Sequence, residues 1–318
     1  MATEEAPHST LPYPPIHQDK KFVVLSDWDG TITNHDSNDY LTDHLGYGTE
    51  KRRQGNRDIL TGKVTFRDAF REMLESVTAN GHKFDECAEV LRQSISLDVG
   101  FKDFYSYCKQ ADVPVVIISS GMAPLIRVVL SKLIGDEQAK EIEVVANDAD
   151  VKEDGSWSIK YRHPTSGFGH DKSQAILPYR RLPNPPTIFF FGDGVSDMSA
   201  ARHADLLFVK KVPGEDNDLS TFLRARRNSS PSLRELRRCT QGCQSGRRRK
   251  AHCTRCLEAR LRVMLSTVRE VVMLLYRTVR YLGRSKTNDR YFRTRLLPKA
   301  ISTLDDPLTV WEGFSALL

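Results

Sequence analysis

Short runs of apolar residues, each followed by small or acidic residues, recur along the first two thirds of the chain. They are "KFVVLSD" (21–27), "VPVVIISSG" (113–121), "IEVVAND" (142–148), "PPTIFFFGDGVSD" (185–197) and "DLLFVK" (205–210). Runs this short and this rich in Val, Ile and Phe predict strands. Because the apolar residues are consecutive and do not alternate with polar ones, the strands are expected to be buried on both faces, as in a parallel sheet.

The segments between these runs show the spacing of helices. Residues 36–95 contain apolar positions typical of three or four helices, and 124–135 and 171–181 each predict another. The stretch "DGSWSIKYRH" favours a hairpin arm. Alternating strands and helices predict an α/β fold, a Rossmann-like parallel sheet covered by helices on both faces. A helical insertion, 34–100, would follow the first strand.

Polar residues suited to catalysis follow three of the predicted strands. They are Asp27 and Asp29 after the first strand, Ser119, Ser120 and Gly121 after the second, and Asp193 and Asp197 after the fourth. The carboxyl ends of parallel strands meet at one edge of the sheet, so these side chains are expected to lie together. Paired carboxylates favour a hard cation or acid–base chemistry, and hydroxyls beside exposed N–H groups favour an anion such as phosphate. Ordinary solvated turns are the alternative interpretation of each motif taken alone.

One lysine belongs to the same pattern. "GHDKS" (169–173) places Lys172 at the start of a predicted helix, where a solvated surface lysine is the simple alternative. In this order, "DWDGT" (27–31), Ser119, Lys172 and "GDGVSD" (192–197) resemble the four motifs of the haloacid-dehalogenase-like (HAD) phosphatase superfamily.

Three further stretches narrow the resemblance. "HDSNDYLTDHLGYG", "SGMAPLI" and "FGHDKS" are similar to the phosphoserine-phosphatase-like branch. Within it, the chain resembles fungal uncharacterised phosphatases akin to phosphocholine/phosphoethanolamine phosphatases and to the methionine-salvage diketo-phosphate phosphatase.

The resemblance implies magnesium-dependent hydrolysis of a small phosphomonoester through an aspartyl-phosphate. Asp27 would be the nucleophile, and Asp29 would protonate the leaving alcohol and then activate water. Ser119 and Lys172 would hold the phosphoryl oxygens, with Ser120 and Gly121 beside them. The implied Mg2+ ligands are Asp27, the backbone carbonyl of Asp29, and Asp193, with Asp197 supporting.

The insertion, 34–100, corresponds to a cap that closes over the substrate in this superfamily. Asp36 and Asn38, with Asp39, follow the first catalytic loop directly and are candidate substrate-binding residues. Acidic groups there favour an amine-bearing phosphomonoester such as phosphoserine, phosphoethanolamine or phosphocholine. The alternative is that Asp36 caps the first cap helix.

Charge is distributed very unevenly along the chain. Residues 224–295 hold 21 of the 47 Lys and Arg but only 4 of the 41 Asp and Glu, so this block carries a formal charge of +17 and the remainder −11. Cys239, Cys243, Cys253 and Cys256 in the block suit a structural zinc. The apolar spacing over 257–282, with Arg on the other face, suits an acidic partner or an anionic membrane surface.

These features support an alternative function, in which a phosphatase-like scaffold serves a basic block that binds nucleic acid or an anionic membrane. The preferred interpretation of residues 224–295 is nevertheless an unselected insertion that is disordered or poorly packed. No specific nucleic acid is then expected as a partner. Residues 296–318 regain the character of the enzyme and suggest a closing strand and helix.

The remaining expectations concern the rest of the chain. Residues 1–20 are polar and lack an apolar core, which predicts a disordered lead-in. The HAD-like core would comprise 21–33 and 101–223. No apolar run reaches membrane-spanning length, so a cytoplasmic protein is expected, with "RRRK" (247–250) as a candidate nuclear-import patch. The substrate and the oligomeric state do not follow from the sequence.

Overall fold

Seven strands form one sheet in the computed structural model, which describes residues 6–210 and the strand at 308–311. The strands are β1 (Phe22–Ser26), β2 (Val115–Met122), β3 (Glu143–Val151), β4 (Trp157–Lys160), β5 (Thr187–Gly192), β6 (Leu206–Lys210) and β7 (Leu308–Trp311). Their order is β4-β3-β2-β1-β5-β6-β7, and β4 alone runs antiparallel to its neighbour. The predicted α/β class with a parallel sheet is confirmed, and so is the hairpin arm, which β3 and β4 form.

Nine helices and one 3-10 turn are found in the described residues. They are α1 (Ser37–Leu45), α2 (Thr49–Leu60), α3 (Phe66–Ala79), α4 (Phe84–Ser94), α5 (Phe101–Gln110), α6 (Ala123–Ile134), α7 (Asp136–Glu141), α8 (Ser173–Arg180) and α9 (Met198–Ala201), with the 3-10 turn at Val195–Asp197. Helices α1 to α4 follow β1 and form the predicted helical insertion, called the cap below.

The central strands are apolar throughout because both faces of the sheet are covered. On β1, Val24 belongs to one apolar cluster, whereas Val23 and Leu25 belong to the cluster on the opposite face. All three are at most 3% exposed. Burying a side chain of this size stabilises the fold by about 1.5–3 kcal/mol. The sheet is therefore rigid at the point where its strands end and the polar loops begin.

Two linkers connect the cap to the sheet, and they pair with each other. Thr33 and Leu97 form an isolated antiparallel bridge, and the N–H of Asp98 donates to the carbonyl of Ile32 at 2.8 Å. The buried Lys210 at the end of β6 contacts Asp98 at 3.0 Å and donates to the carbonyl of Thr31 at 3.0 Å. One side chain of the core therefore holds both linkers of the cap.

The β3–β4 arm supports the cap from its other end. The Tyr161 hydroxyl donates to the carbonyl of Arg67 at 2.6 Å, and the N–H of Arg67 donates to the carbonyl of Gly167 at 2.8 Å. The rings of Phe84 and Trp157 pack edge to face with centroids 5.9 Å apart. With the linkers, these contacts fix the cap over the carboxyl ends of β1, β2 and β5.

Residues 6–20 contain no helix or strand but contact the core. The N–H of Thr10 donates to the carbonyl of Arg162 at 2.8 Å, and the Tyr13 hydroxyl lies 2.8 Å from Nε2 of His163. The polar composition of this segment predicts a disordered lead-in and gives no sign of these contacts. Cys87 and Cys108 are buried and free.

The Arg-rich block at 224–295, with its four cysteines, its basic patch and its amphipathic pattern, lies outside the described residues. Strand β7 falls within 296–318, the segment expected to contain a closing strand, and pairs in parallel with β6. The helix expected there is also outside the described residues. No helix in the described part of the chain is both long enough and apolar enough to cross a membrane.

Candidate active site

Asp27 directly follows β1 and lines the cleft. Its N–H donates to the carbonyl of Phe191 on β5 at 2.8 Å, which extends the strand pairing by one residue. Oδ1 of Asp27 accepts the N–H of Trp28 at 2.7 Å and lies 2.7 Å from Nζ of Lys172. The side chain is 7% exposed. Burial and the neighbouring Asp197 raise the pKa of Asp27 well above its usual value, and Lys172 opposes that rise.

Lys172 is completely buried between two carboxylates. Its Nζ lies 2.7 Å from Oδ1 of Asp27 and 2.7 Å from Oδ1 of Asp197. Burial alone would lower the pKa of Lys172, but the two carboxylates outweigh it and raise the pKa above its usual range. An unpaired charge at such a position would cost about 3–5 kcal/mol. The alternative of a solvated surface lysine is therefore wrong.

Three carboxylates converge at the carboxyl ends of β1 and β5. Oxygens of Asp27, Asp193 and Asp197 lie within 4.8 Å of one another. The hydroxyl of Thr31 donates to Oδ1 of Asp193 at 2.6 Å. A side chain at position 30 would place its Cβ 2.5 Å from Oδ2 of Asp193, so only glycine fits there. An all-oxygen donor set of this charge suits a hard divalent cation, and the residues present therefore fit a metal ion.

Asp197 holds the loop that carries Asp193. Its Oδ2 accepts the N–H groups of Asp193 and Gly194, both at 3.0 Å, while its Oδ1 faces Lys172. Because these three contacts all pass through its carboxylate, Asp197 fixes the loop that follows β5. This arrangement agrees with the supporting role that the resemblance implies.

The carboxyl of Asp29 is held by the first turn of α1. Oδ1 accepts the N–H of Ser37 at 2.7 Å and its hydroxyl at 2.5 Å, and Oδ2 accepts the amide of Asn38 at 2.8 Å. Burial and the nearby Asp36 raise the pKa of Asp29 well above its usual value, although the Ser37 donors oppose the rise. Asp29 is therefore not one of the converging carboxylates. Its backbone carbonyl remains the group expected to bind a metal.

The carboxyl-terminal end of β2, where its pairing with β3 shifts register between Ile118 and Met122, carries the predicted anion-binding groups; Ser119–Gly121 are called the Ser119 loop below. Oγ of Ser119 accepts the N–H of Gly121 at 2.9 Å. Oγ of Ser120 is buried and has no hydrogen-bond partner among the described residues. A Cβ at Gly121 would lie 3.2–3.3 Å from Asn38, Asp29 and Ser119, so glycine lets these groups approach one another. The Ser120 hydroxyl is thus available to a ligand in the cleft.

The acidic residues at the start of the cap have internal partners. Oδ1 of Asp36 accepts the N–H groups of Asn38 and Asp39, both at 2.8 Å, so Asp36 is the N-cap of α1 as its alternative interpretation predicts. Asp39 pairs with Arg52 at 2.5 Å. Burial and the charge of Asp36 nevertheless raise the pKa of Asp39 to about 8. Both residues also line the cleft.

A cleft of about 350 Å³ separates the cap from the sheet. Its floor comprises the polar loops, namely Asp27, Asp29, Ser119, Ser120, Gly121, Asp193, Gly194, Val195 and Ser196. Its cap side comprises Asp36, Asn38, Asp39, Asn56, Ile59, Phe66, Phe70 and Met73. Every predicted site residue lines the cleft except Lys172 and Asp197, which lie beneath the floor. The cap side from Asn56 to Met73 was not predicted, because apolar spacing on a helix also describes an ordinary core face.

Fold and site together define a hydrolase with an acidic loop after the first strand of a parallel sheet and a helical cap. Residues 24–202 match the family model of haloacid dehalogenase-like hydrolases. The chain belongs to this family, and it is a phosphomonoester hydrolase that acts on a phosphorylated small metabolite.

Several known proteins are similar to this chain. Pdp3-interacting factor 1 of Schizosaccharomyces pombe is 49% identical over 196 residues, which are 61% of this chain and 84% of that protein. Polyol phosphate phosphatase PYP1 of Saccharomyces cerevisiae is 43% identical over 210 residues, 64% of this chain and 84% of that protein. The 2-hydroxy-3-keto-5-methylthiopentenyl-1-phosphate phosphatase of Bacillus pumilus is 26% identical over 196 residues, 60% of this chain and 80% of that protein.

Solved structures are matched at lower similarity. One is a phosphoserine phosphatase holding an analogue of the phospho-aspartyl intermediate, with a TM-score of 0.45 and 18% identity over 60% of this chain and 86% of that chain. The predicted membership of the HAD superfamily is confirmed, and so is the resemblance to fungal and methionine-salvage phosphatases.

Proposed function

We propose that this protein is a magnesium-dependent phosphatase of polyol phosphates, with Asp27 as the nucleophile. The observation that carries the proposal is the buried contact of Lys172 with Asp27 and Asp197 beside the Ser119 loop. A cation, a nucleophilic carboxylate and a hydroxyl-bearing loop then surround one position at the floor of the cleft. A phosphoryl group is the anion that such a combination suits.

In the first step, an oxygen of Asp27 would attack phosphorus and the bond from phosphorus to the leaving oxygen would break. Asp29 would give its proton to that oxygen, so the alcohol leaves neutral. In the second step, Asp29 would take a proton from water, whose oxygen attacks phosphorus and releases Asp27 with inorganic phosphate. Lys172 and Ser119 would stabilise the charge on the transferring oxygens in both steps.

The converging carboxylates would hold Mg2+. Asp27 and Asp193 would be side-chain ligands, the backbone carbonyl of Asp29 a third, and Asp197 would orient the group from below. Bound there, the ion would offset the repulsion between the Asp27 carboxylate and the anionic phosphate.

The cap side of the cleft favours a substrate with hydroxyls over one with an ammonium group. Burial and Asp36 raise the pKa of Asp39 to about 8, so beside Arg52 it is largely protonated at neutral pH, and Asp36 already accepts two backbone N–H groups. Neither carboxylate is an uncompensated anion of the kind that attracts an ammonium. Both still have lone pairs for hydroxyl donors, and the amide of Asn56 offers both a donor and an acceptor. The name of the S. cerevisiae relative, a polyol phosphate phosphatase, agrees with this choice.

The test is a substrate panel with purified protein and magnesium. Phosphates of three- to six-carbon polyols form one arm, and phosphoserine, phosphoethanolamine and phosphocholine form the other. We expect kcat/KM for the best polyol phosphate to exceed that of every amine-bearing substrate by at least tenfold. The opposite order would overturn the substrate assignment and restore the amine-bearing class. Absence of turnover with both arms, in excess magnesium, would overturn the phosphatase assignment for these substrates.

A further inference from the structure

Two buried side chains hold successive carbonyls of the Ser119 loop, at the carboxyl-terminal end of β2. Nδ1 of His170 lies 2.7 Å from the carbonyl oxygen of Ser119. The amide of Asn147 donates to the carbonyl oxygen of Ser120 at 2.7 Å. Both side chains are completely buried. They come from separate segments of the chain, 51 and 27 residues from their partners, so the packed fold brings them to this loop.

The His170 contact fixes the tautomer of the imidazole. A carbonyl oxygen only accepts hydrogen bonds, so Nδ1 of His170 carries the proton and Nε2 is left as an acceptor. Nε2 is buried and has no partner among the described residues. Such an orphan costs about 1–3 kcal/mol, a cost that an apolar side chain would avoid. Burial also lowers the pKa of His170 well below its usual value, so the ring stays neutral.

Position in the chain links this contact to the phosphate site. His170 precedes Lys172 by two residues, and Lys172 reaches Asp27. The turn before it is tightly constrained, because Gly169 has φ of 67° and any Cβ there would meet the ring of Tyr161 at 2.4 Å. One short, rigid segment therefore contacts the nucleophile loop through Lys172 and the Ser119 loop through His170.

Holding the carbonyls determines where the rest of the loop points. In a short loop, a fixed carbonyl fixes the peptide plane, and with it the N–H of the next residue on the opposite side. The carbonyls of Ser119 and Ser120 point to buried side chains beneath the loop. The N–H of Ser120 lies in the first of these planes, and the N–H of Gly121, in the second, donates to Oγ of Ser119 at 2.9 Å and so orients that hydroxyl. A donor set preorganised in this way stabilises an anion without reorganisation during the reaction.

We propose that His170 is a positioning residue that aims the Ser119–Gly121 loop at the transferring phosphoryl group, with Asn147 fixing the second carbonyl of the same loop. The proposal rests on the proposed phosphatase function. It assigns His170 no contact with the substrate.

The test compares His170→Asn with His170→Gln. An Asn amide can place a donor where Nδ1 lies, whereas a Gln amide places it where Nε2 lies. We expect Gln to lower kcat at least tenfold and to weaken competitive inhibition by inorganic phosphate at least tenfold. Asn should keep both within about threefold of wild type. Magnesium affinity, measured by calorimetry without substrate, should change less than twofold in either variant.

Matched controls separate positioning from general damage. His44→Asn alters a comparable bond, from Nδ1 to the carbonyl of Tyr40 at 2.9 Å, at an exposed position near the end of α1, and should leave phosphate inhibition unchanged. Asn147→Ala gives an independent second arm, with weaker phosphate inhibition expected, and it decides the question if the Gln variant fails to fold. Equal values for Asn and Gln, or unchanged phosphate inhibition in Gln and Asn147→Ala, would overturn the positioning role. Calorimetric titration with phosphate measures phosphate affinity without turnover. It therefore distinguishes failure of the positioning role from failure of the proposed phosphatase function.

Discussion

The two carboxylates of the first loop lie two residues apart but in different surroundings. Asp27 contacts the buried cation of Lys172, whereas Asp29 receives neutral donors from Ser37 and Asn38. Burial raises the pKa of both well above the usual value, and the rise is opposed at Asp27 by the Lys172 ammonium and at Asp29 mainly by the Ser37 donors. Such a difference suits a nucleophile that must be ionised and an acid that must carry a proton. The environment of each residue therefore matches the role proposed for it.

Replacing Asp27 by Asn is expected to reduce kcat by at least a thousandfold, because an amide oxygen is a poor nucleophile toward phosphorus. The fold should persist, since Asn matches Asp in size and Lys172 keeps its contact with Asp197. Turnover of one phosphomonoester and a thermal melt of each purified protein check both statements. Asp103→Asn, an exposed change on α5, is the matched control and should keep full activity. If Asp27→Asn retains a tenth of wild-type turnover, another residue is the nucleophile.

Asp39 should make stability depend on pH. Its pKa is about 8 in the folded protein, against 3.8 when it is not perturbed, so the folded state holds a proton that the unfolded chain releases between these values. The contribution of Asp39 is therefore fully present below about pH 4 and is lost as the pH rises toward 8. The stability of Asp39→Asn relative to wild type should increase over this range by about 1 kcal/mol or more, roughly 2–4 °C in Tm.

Asp43 provides a control of opposite sign on the same helix. Its hydrogen bond with Arg52 lowers the pKa of Asp43, so its contribution is present at neutral pH and is lost as the pH falls through the folded-state pKa. Asp43→Asn should therefore destabilise the protein at pH 7 and have less effect near pH 3. Melting curves from about pH 2.5 to 8.5 for wild type and both variants measure the two slopes. Parallel curves for Asp39→Asn and wild type would show that Asp39 titrates normally.

At the scale of elements, the linkers and the β3–β4 arm determine how the cap sits on the sheet. Lys210 is central to the linkers, because its ammonium contacts Asp98 of the returning linker and the carbonyls of Thr31 and Thr33 of the outgoing one. Thr31 also donates to Asp193 through its hydroxyl. Thr31 therefore links the position of the cap to the geometry of the acidic loops.

Lys210→Met is expected to destabilise the protein by about 3–5 kcal/mol, because it removes the ammonium that pairs with the buried Asp98 at 3.0 Å. Asp98→Asn should also destabilise it, by leaving the buried ammonium with fewer partners. The double variant should lose less than the sum of the two, since neither charge is then unpaired. Chemical denaturation of all four proteins gives the coupling free energy. Strict additivity would mean that this ion pair does not hold the linkers.

The structure brings the predicted site residues together where each motif lies at the carboxyl end of a strand. Asp27, Ser119 and Asp193 were predicted because the carboxyl ends of parallel strands meet, a rule that needs no knowledge of packing. His170, Asn147 and Lys210 were not predicted, since each acts on a loop distant in the sequence. A buried lysine and a surface lysine look alike in a sequence. Only the folded chain shows which polar residue is buried, and against what.

At the scale of the whole molecule, the proposed catalytic groups all lie between residues 27 and 197, and the sheet closes with β6 and β7. These two strands are adjacent and parallel, although they are far apart in the sequence. A parallel pair needs a crossover of a dozen residues or more, and the chain between Lys210 and Leu308 is much longer than that. The proposed chemistry therefore uses no residue of the C-terminal third, whereas the sheet needs β7 from it.

Deleting residues 227–293 should leave kcat/KM within about twofold of wild type. Residues 211–226 and 294–307 would remain between β6 and β7, which is enough chain for a parallel crossover. Removing 297–318 is the matched control. It takes away β7, leaves the edge of β6 unpaired and should lower Tm and soluble yield. Turnover, Tm and soluble yield are measured for wild type and the two deletions. Together they separate what activity requires from what closure of the sheet requires. Loss of activity or folding on the internal deletion would show that the enzyme needs the Arg-rich block. Elemental analysis of the full-length protein is a separate measurement, and one zinc per chain would assign the cysteines of the block a structural role.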